Sequence, residues 1–367
     1  MYTNFKISIL SKILGVFYFL LLAVDVRAEP YLAVKNNLKC ASCHVNPIGG
    51  GARNQFGQTY GQSVLPEKIA SFNTSELTKI NEYLGIGADA RFNANYQKDD
   101  ADTTSQTFAT ENLAVYGSLL LPESGLTFYL DQQVAPGTSI NREAWVMKTL
   151  DSGNYVKVGK MFLPYGLRLE DDSAFIRQVT GMNFDNSDNG IEYTINSDKS
   201  TINLFMANGT SQATNNDDTF LYGVRGEQLF QNFRLGATAV LNDGDQQSQL
   251  FNIYGGLVWD KFTLLAEVDY INLQNANPLT SADVEQLITF FEVNYQWQKG
   301  LNFKLTAEYL DPDQDIDENE QTRYSFVTEY TPLSNFQFRL GIRIKEDIPQ
   351  KSTQSYDMIF VQSHFYF

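Results

Sequence analysis

From Tyr83 onward, apolar and polar residues alternate with a period of two, the mark of strands whose two faces meet different environments. Leu84, Ile86, Ala88, Ala90, Phe92 and Ala94 share one face, and Gly85, Gly87, Asp89, Arg91, Asn93 and Asn95 the other. Sixteen such segments can be read: 83–97, 106–121, 125–134, 141–150, 154–160, 188–196, 201–208, 217–228, 231–242, 247–259, 261–273, 283–297, 300–310, 321–332, 335–345 and 355–367. Tight turns such as 122–124, 151–153, 298–300 and 332–334 tend to alternate with longer polar loops such as 98–105, 161–187, 274–282, 311–320 and 346–354. An up-and-down barrel has that alternation of short turns on one side and long loops on the other. The expected fold is therefore all-β, a closed sixteen-stranded antiparallel transmembrane barrel. Its even strand count puts both termini on the short-turn, periplasmic side.

The faces are chemically distinct. Phe336, Phe338, Leu340, Ile342 and Ile344 alternate with Gln337, Arg339, Gly341, Arg343 and Lys345. Leu301, Phe303, Leu305, Ala307 and Tyr309 alternate with Asn302, Lys304, Thr306 and Glu308. Charge on the second set is costly in hydrocarbon and suits a watery lumen. Lys304, Arg323, Arg339, Arg343, Glu267, Asp269, Glu292 and Glu308 are expected there, mixed in sign, and set no clear ion selectivity. Tyr295, Trp297 and Trp259 fall at strand ends, as an aromatic girdle does. The terminal Phe367, with apolar residues alternating before it, resembles the closing strand of outer-membrane barrels. Composition agrees, with 26 Phe, 20 Tyr and a formal net charge of −16. That acidic balance does not suit a nucleic-acid partner. A soluble extracellular β-sandwich shares part of this composition.

Upstream the texture differs. Lys6 and Lys12, the apolar run Ile13 to Val24 and the site Val26-Arg27-Ala28 read as a secretory signal over 1–28. Residues 29–82 carry Cys40-Ala41-Ser42-Cys43-His44, the attachment spacing of c-type haem. Each thiol can add across one haem vinyl group, leaving His44 as axial ligand to the iron. These are the only 2 cysteines, and His44 is one of 2 histidines. A redox dithiol, or a disulfide with an unrelated His, is the competing reading, but redox pairs usually sit at βα junctions, and no βαβ pattern surrounds this one. Asn46-Pro47-Ile48-Gly49-Gly50-Gly51 lets the backbone turn sharply beside a flat macrocycle. Thr74 or Ser75 can cap a short helix over 76–82 leading into the barrel of 83–367. The loop 311–320 is strongly acidic but lacks the central glycine of a calcium loop.

With haem motif and strands together, the chain resembles the fused monohaem cytochrome–porins of bacterial outer membranes, whose best-known members are iron oxidases. The resemblance rests on Lys39-Cys40-Ala41-Ser42-Cys43-His44-Val45-Asn46-Pro47 and the glycines after it. Gly85-Ile86-Gly87 at the first strand adds to it. Gly159-Lys160-Met161-Phe162-Leu163-Pro164-Tyr165-Gly166 also resembles phosphate-selective porins. It implies one covalent haem c, placement in outer-membrane lipid, and electron transfer across that membrane. The implied partners are a periplasmic c-type cytochrome and an extracellular redox partner, Fe(II) first among donors.

The second axial ligand is open at this level. No Met and no second His lie between Glu29 and Glu82. His364 points inward in the alternation of the last strand, and Gly85 and Gly87 on strand one are expected to leave space beside it. His364 is thus a candidate distal ligand. Met358, Lys35, Lys39, water and an empty sixth position compete with it. Three functional classes follow: an electron conduit running in either direction, which with Fe(II) as donor is an Fe(II):cytochrome c oxidoreductase; a diffusion channel with structural or sensory haem; and a haem enzyme, for which no distal acid–base pair is found.

Overall fold

The computed structural model describes residues 29–71, 81, 83–182, 186–210, 215, 218–244, 247–277, 280–347 and 354–367. The expected signal segment 1–28 and most of the helix expected over 76–82, with its Thr74 or Ser75 cap, lie outside the described residues.

The strands are β1 (Leu84–Asp99), β2 (Thr104–Leu121), β3 (Leu126–Ala135), β4 (Ile140–Thr149), β5 (Tyr155–Met161), β6 (Asp188–Asn196), β7 (Ser200–Ala207) and β8 (Leu221–Leu229). They continue as β9 (Phe233–Asn242), β10 (Ser248–Trp259), β11 (Phe262–Leu273), β12 (Val284–Gln298), β13 (Leu301–Asp311), β14 (Gln321–Leu333), β15 (Phe336–Glu346) and β16 (Tyr356–Tyr366). Each pairs antiparallel with its neighbours in sequence, and β1 pairs with β16 to close the ring. Closure leaves no free edge, so every strand finds both ladders. Among the described residues, three short α-helices accompany them: α1 (Pro30–Lys35), α2 (Gln55–Thr59) and α3 (Phe175–Gln178).

The period-two pattern sorts as the chemistry requires. The outside is apolar: Trp259 is 71%, Ile253 68% and Leu305 54% exposed. Trp259, Phe262, Tyr295, Trp297 and Phe303 form a continuous ring-to-ring series with centroids 4.7–6.4 Å apart at the short-turn end. An apolar belt of this extent suits lipid rather than water. Inward positions carry the charges, and these pair. Lys304 meets Glu29 at 2.9 Å and Glu329 at 3.1 Å, and Arg323 meets Glu308 at 2.6 Å.

Two expectations are corrected. The segment after β5 was expected as a polar outer loop, yet it turns into the barrel. Its run Phe162-Leu163-Pro164-Tyr165-Gly166-Leu167-Arg168-Leu169 is largely apolar. Phe162, Tyr165, Leu167 and Leu169 are buried inside. The Tyr165 hydroxyl donates to Asp269 at 2.8 Å, and the backbone N–H groups of Leu167 and Phe175 donate to Glu267 at 2.6 Å and Glu308 at 2.8 Å. Glu267, Asp269 and Glu308 thus receive the loop rather than line open water. The segment 98–105 is also shorter than expected, since β1 and β2 extend to leave only residues 100–103 between them.

Residues 29–71 lie against the inner wall near the short turns. The Lys39 ammonium donates to Asn196 at 2.7 Å and to the Ser200 carbonyl at 2.8 Å in the β6–β7 turn. Lys299 in the β12–β13 turn donates to the Ser63 carbonyl at 2.9 Å. Glu67 and Lys68 donate from their backbone to Thr331 and Pro332 at 2.8 and 2.9 Å.

Candidate functional site

The five-residue motif forms one turn of tight helix. Cys40–Ser42 is 3-10 in form, and the N–H groups of Cys43 and His44 both donate to the Cys40 carbonyl, at 3.1 and 3.0 Å. That winding brings Cys40, Cys43 and His44 to the wall of one cavity. The chain then doubles back: Val45 donates to the Ala52 carbonyl at 3.0 Å, and His44 bridges Arg53 antiparallel. Asn54 locks the turn, its amide donating to the Ala41 carbonyl at 3.0 Å and its side-chain oxygen capping α2 at the Gly57 N–H.

The glycines behave as expected. Gly50 and Gly51 have φ of +75° and +62°, the left-handed region that glycine enters without a Cβ penalty. A Cβ at Gly50 would lie 3.0 Å from the Arg168 guanidinium, and one at Gly51 1.8 Å from the Tyr129 hydroxyl. That hydroxyl accepts from the Ala52 N–H at 3.0 Å, so the turn seats directly on β3. Gly51→Ala is expected to cost on the order of 1–3 kcal/mol locally. The check is cofactor bound per barrel, which should fall while the folded-barrel yield holds.

Both thiols are unbridged. Burial pushes both up, so they stand as neutral thiols. His44 is buried, and desolvation, reinforced by Arg53 and Arg168, pushes its imidazole down to about 3. A neutral imidazole is the form that ligates metal. Its Nδ1 is buried without a hydrogen-bond partner among the described residues. The cavity has a volume of about 90 Å³ and is partly open to solvent. Its walls include Leu32, Val34, Ile48, Leu65, Phe162 and Leu163, with Arg168, Arg225 and Arg234 among its cations. Arg225 pairs with Glu227 at 3.0 Å, and Arg234 donates to the Leu38 carbonyl at 2.6 Å. Free thiols, a neutral imidazole, apolar walls and cations together fit a flat apolar macrocycle with carboxylate arms. Cys40, Cys43 and His44 are the residues that can hold it.

With the geometry in place, comparison adds the following. No family model matches the sequence, and no curated protein matches it. Solved structures do match. The in-vitro folded outer-membrane protein OmpT of Vibrio cholerae, in its trimer form, superposes with TM-score 0.63 at 11% identity, over 77% of this chain and 99% of that one. The anion-selective porin from Comamonas acidovorans gives 0.58 at 13%, over 77% and 99%. The outer membrane channel DcaP of Acinetobacter baumannii gives 0.58 at 12%, over 77% and 97%. The barrel resembles those of outer-membrane porins. At these identities the likeness is one of fold.

Within the porin-like barrel, several residues that position the site lie outside the pattern read from sequence. A bulge where β3 meets β4 lets consecutive Arg142 and Glu143 both face inward. Glu143 accepts from the Asn46 amide at 2.9 and 3.0 Å and from the Phe162 N–H at 3.1 Å, tying the motif segment to the inserted loop. Arg142 pairs with Asp131 at 3.0 Å. The signal for the loop was its apolar run; nothing in the alternation marks the bulge.

His364 is inward and fully buried. Its Nε2 lies 2.9 Å from Asp89, and the β1 residues across the ladder are Arg91 and its neighbours, not Gly85 and Gly87. Barrel closure staggers β1 against β16, so Phe367 and not His364 covers Gly87. Tyr366 stands toward the motif side, its hydroxyl donating to the Gly61 carbonyl at 3.3 Å and its ring 3.6 Å from the Arg53 guanidinium carbon. His364 is not among the residues lining the thiol cavity.

A larger cavity, with a volume of about 440 Å³ and partly open to solvent, lies among the inward-facing residues. It reaches from Asn95, Arg343 and Met358 to Glu29, His44, Gly50, Arg53 and Arg168, residues it shares with the thiol cavity.

Proposed function

We propose that the protein is an outer-membrane electron conduit in which one covalent haem c, held by Cys40, Cys43 and His44, links an extracellular redox partner to a periplasmic c-type cytochrome. The observation that carries this reading is a pair of free thiols and a neutral imidazole lining one cavity inside a closed barrel with an apolar exterior. Bound there, haem supplies reversible one-electron exchange at iron.

The residues divide the work. Cys40 and Cys43 would hold the macrocycle covalently, and His44 would ligate its iron. Residues 29–71 plug the short-turn side of the barrel, anchored through Glu29, Lys39 and Glu67. The inserted loop covers the motif through Phe162, Leu163 and Arg168. The hydrocarbon core is about 30 Å thick, so one cofactor cannot span it. The larger cavity then serves as the path by which a small donor such as Fe(II) approaches from outside. The charges around it are mixed in sign, with Asp171 paired to Arg323 and Arg343 and Asp172 to Arg177, so they favour neither sign of ion. Both termini face the periplasm in this reading, which puts the motif segment within reach of a soluble cytochrome.

The same larger cavity supports a second reading, a diffusion channel in which haem is structural. The two separate on one experiment. Fe(II) presented to the outside of oriented vesicles should reduce the haem, seen as a sharpened α-band. Ion conductance with a haem that no outside donor reduces would favour the channel.

A further inference from the structure

The inference concerns the water-facing side of the plug at the short-turn mouth. It rests on the conduit reading above, in which the electron is exchanged there with a soluble protein. Residues 55–64 form one continuous helical stretch, α2 followed by a π turn over Tyr60–Val64. Gly57 and Gly61, four apart, are buried and line the thiol cavity. A Cβ at Gly57 would stand 2.0 Å from the Cys43 carbonyl oxygen, so glycine there lets the stretch lie against the motif. Phe56 and Val64, at the same spacing on either side of Tyr60, are 51% and 50% exposed. The Phe56 ring stacks on that of Tyr60 with centroids 6.2 Å apart. Ile69 is 64% exposed, on the strip that runs along the β14–β15 turn, where Ala70 donates to the Ser334 hydroxyl at 3.1 Å. These side chains belong to the plug, inside the ring of strands, and so lie away from the lipid-facing wall.

The mouth around them is basic. Lys39 donates to the Ser200 carbonyl at 2.8 Å, Lys261 to the Trp297 carbonyl at 3.3 Å and Lys299 to the Ser63 carbonyl at 2.9 Å, while Lys148 contacts the Ser124 carbonyl. A carbonyl fixes an ammonium in place without cancelling its charge. Lys68 and Lys199 are exposed beside them. Among the described residues, the carboxylates on this side are Glu67, Glu123, Asp151, Asp198 and Asp260, and Glu67 is engaged by the Tyr330 hydroxyl at 2.6 Å. At the opposite mouth the sign reverses: the loop 311–320 holds Asp311, Asp313, Asp315, Asp317, Glu318 and Glu320 and no cation. The formal charge of −16 is thus unevenly spread, with its excess toward the long loops.

We propose that this face is the docking surface for a soluble protein whose own contact patch is apolar at the centre and acidic at the rim. Phe56, Val64 and Ile69 supply the centre, since apolar side chains left in water mark a contact site and aromatic anchors carry much of the energy of an interface. Lys68, Lys199 and Lys261 supply the rim, where opposite charge steers the encounter and selects the partner. An anionic lipid surface would use the lysines but not Phe56 and Val64, which lie on the plug. Phe56 adjoins Gly57, which packs on the Cys43 carbonyl, so a protein seated here stands beside the motif.

The test measures binding rather than electron transfer. The full-length haem-loaded protein, in nanodiscs of zwitterionic lipid, is probed with two small soluble c-type cytochromes, one of net negative and one of net positive charge. The acidic probe should bind, and its affinity should fall about tenfold or more from low to high salt. Lys68→Glu with Lys199→Glu should slow its association about tenfold. Phe56→Ser should weaken binding about fivefold and leave the salt dependence as it was. Ile69→Ser, outside the helical stretch, should act in the same direction, which separates a lost contact from a loosened plug. Equal binding of both probes, no binding at low salt, or native binding by all these variants overturns the proposal. So does phosphatidylglycerol that purifies with the native protein but not with the lysine variant while no cytochrome binds, which assigns the charge to lipid. Each of these outcomes leaves the conduit reading to its own experiment, reduction of the haem from outside. A protein without attached haem overturns the conduit reading whatever the probes do.

Discussion

If haem is attached as proposed, replacing both Cys40 and Cys43 by Ser is expected to abolish haem staining on denaturing gels and to leave the barrel intact. The thiols are the only atoms in the chain that can form thioethers, because the sequence holds 2 cysteines. Cys40 lies against Gly49, with the thiol 3.4 Å from where a Cβ would stand, and neither cysteine bonds to the strands. Barrel closure depends on the β1–β16 ladder and the inward ion pairs, which the substitutions do not touch. The loss of attached haem should therefore be complete, while heat-modifiable migration of the folded barrel should be retained. Single variants, left with one thiol, should stain weakly. A doubly substituted protein that still stains would show that the motif is not the attachment site. Loss of the barrel together with the haem would show that the two fold as one unit.

Arg339→Leu is expected to have the largest effect on the architecture. This guanidinium contacts Glu29 and lies 2.7 Å from Glu170 and 2.8 Å from Glu329. Glu29 belongs to the motif segment, Glu170 to the inserted loop and Glu329 to β14, so one cation joins three pieces of chain. Lys304 adds compensation at Glu29 and Glu329, and Arg91 at Glu170 at 3.2 Å. Removing one partner of a buried ion pair costs about 3–5 kcal/mol, because the charge left behind is unpaired and desolvated. The motif segment and loop should loosen from the wall before the ladder gives way. Single-channel conductance should rise several-fold, and limited proteolysis should cut within 29–71. Unchanged conductance with an undigested segment would show that Glu29 and Glu170 do not anchor these elements. Arg339→Lys, which keeps the charge but loses the fork, should fall between.

The strand count and the sense of each face were legible because lumen and lipid impose opposite demands on alternate residues. Segments such as Phe336–Lys345 state both demands in one line of sequence. The motif stands out for a different reason: two thiols and a histidine at fixed spacing have few other uses, and the cofactor it points to remains a proposal. What was hidden depends on contacts between distant residues. Between β5 and β6 a long stretch without alternation reads as an outer loop. Its inward turn is set by Glu267, Asp269 and Glu308, 100 to 133 residues away. The bulge at Arg142 adds one residue to one strand and shifts the faces locally, which no period-two count detects. The partner of His364 depends on the stagger that closes the barrel, and a strand list carries no stagger. Asp89 therefore takes the place in which Gly85 and Gly87 were expected.

The central claim, that an electron crosses the membrane by way of this motif, is tested most directly in sealed liposomes. The haem-loaded protein is inserted with its long loops outward, a c-type cytochrome is enclosed, and a membrane-impermeant reductant is added outside. The enclosed cytochrome should become reduced in vesicles carrying the native protein and remain oxidised in those carrying His44→Ala. Equal reduction with both, or none with the native protein while ions pass freely, would contradict it.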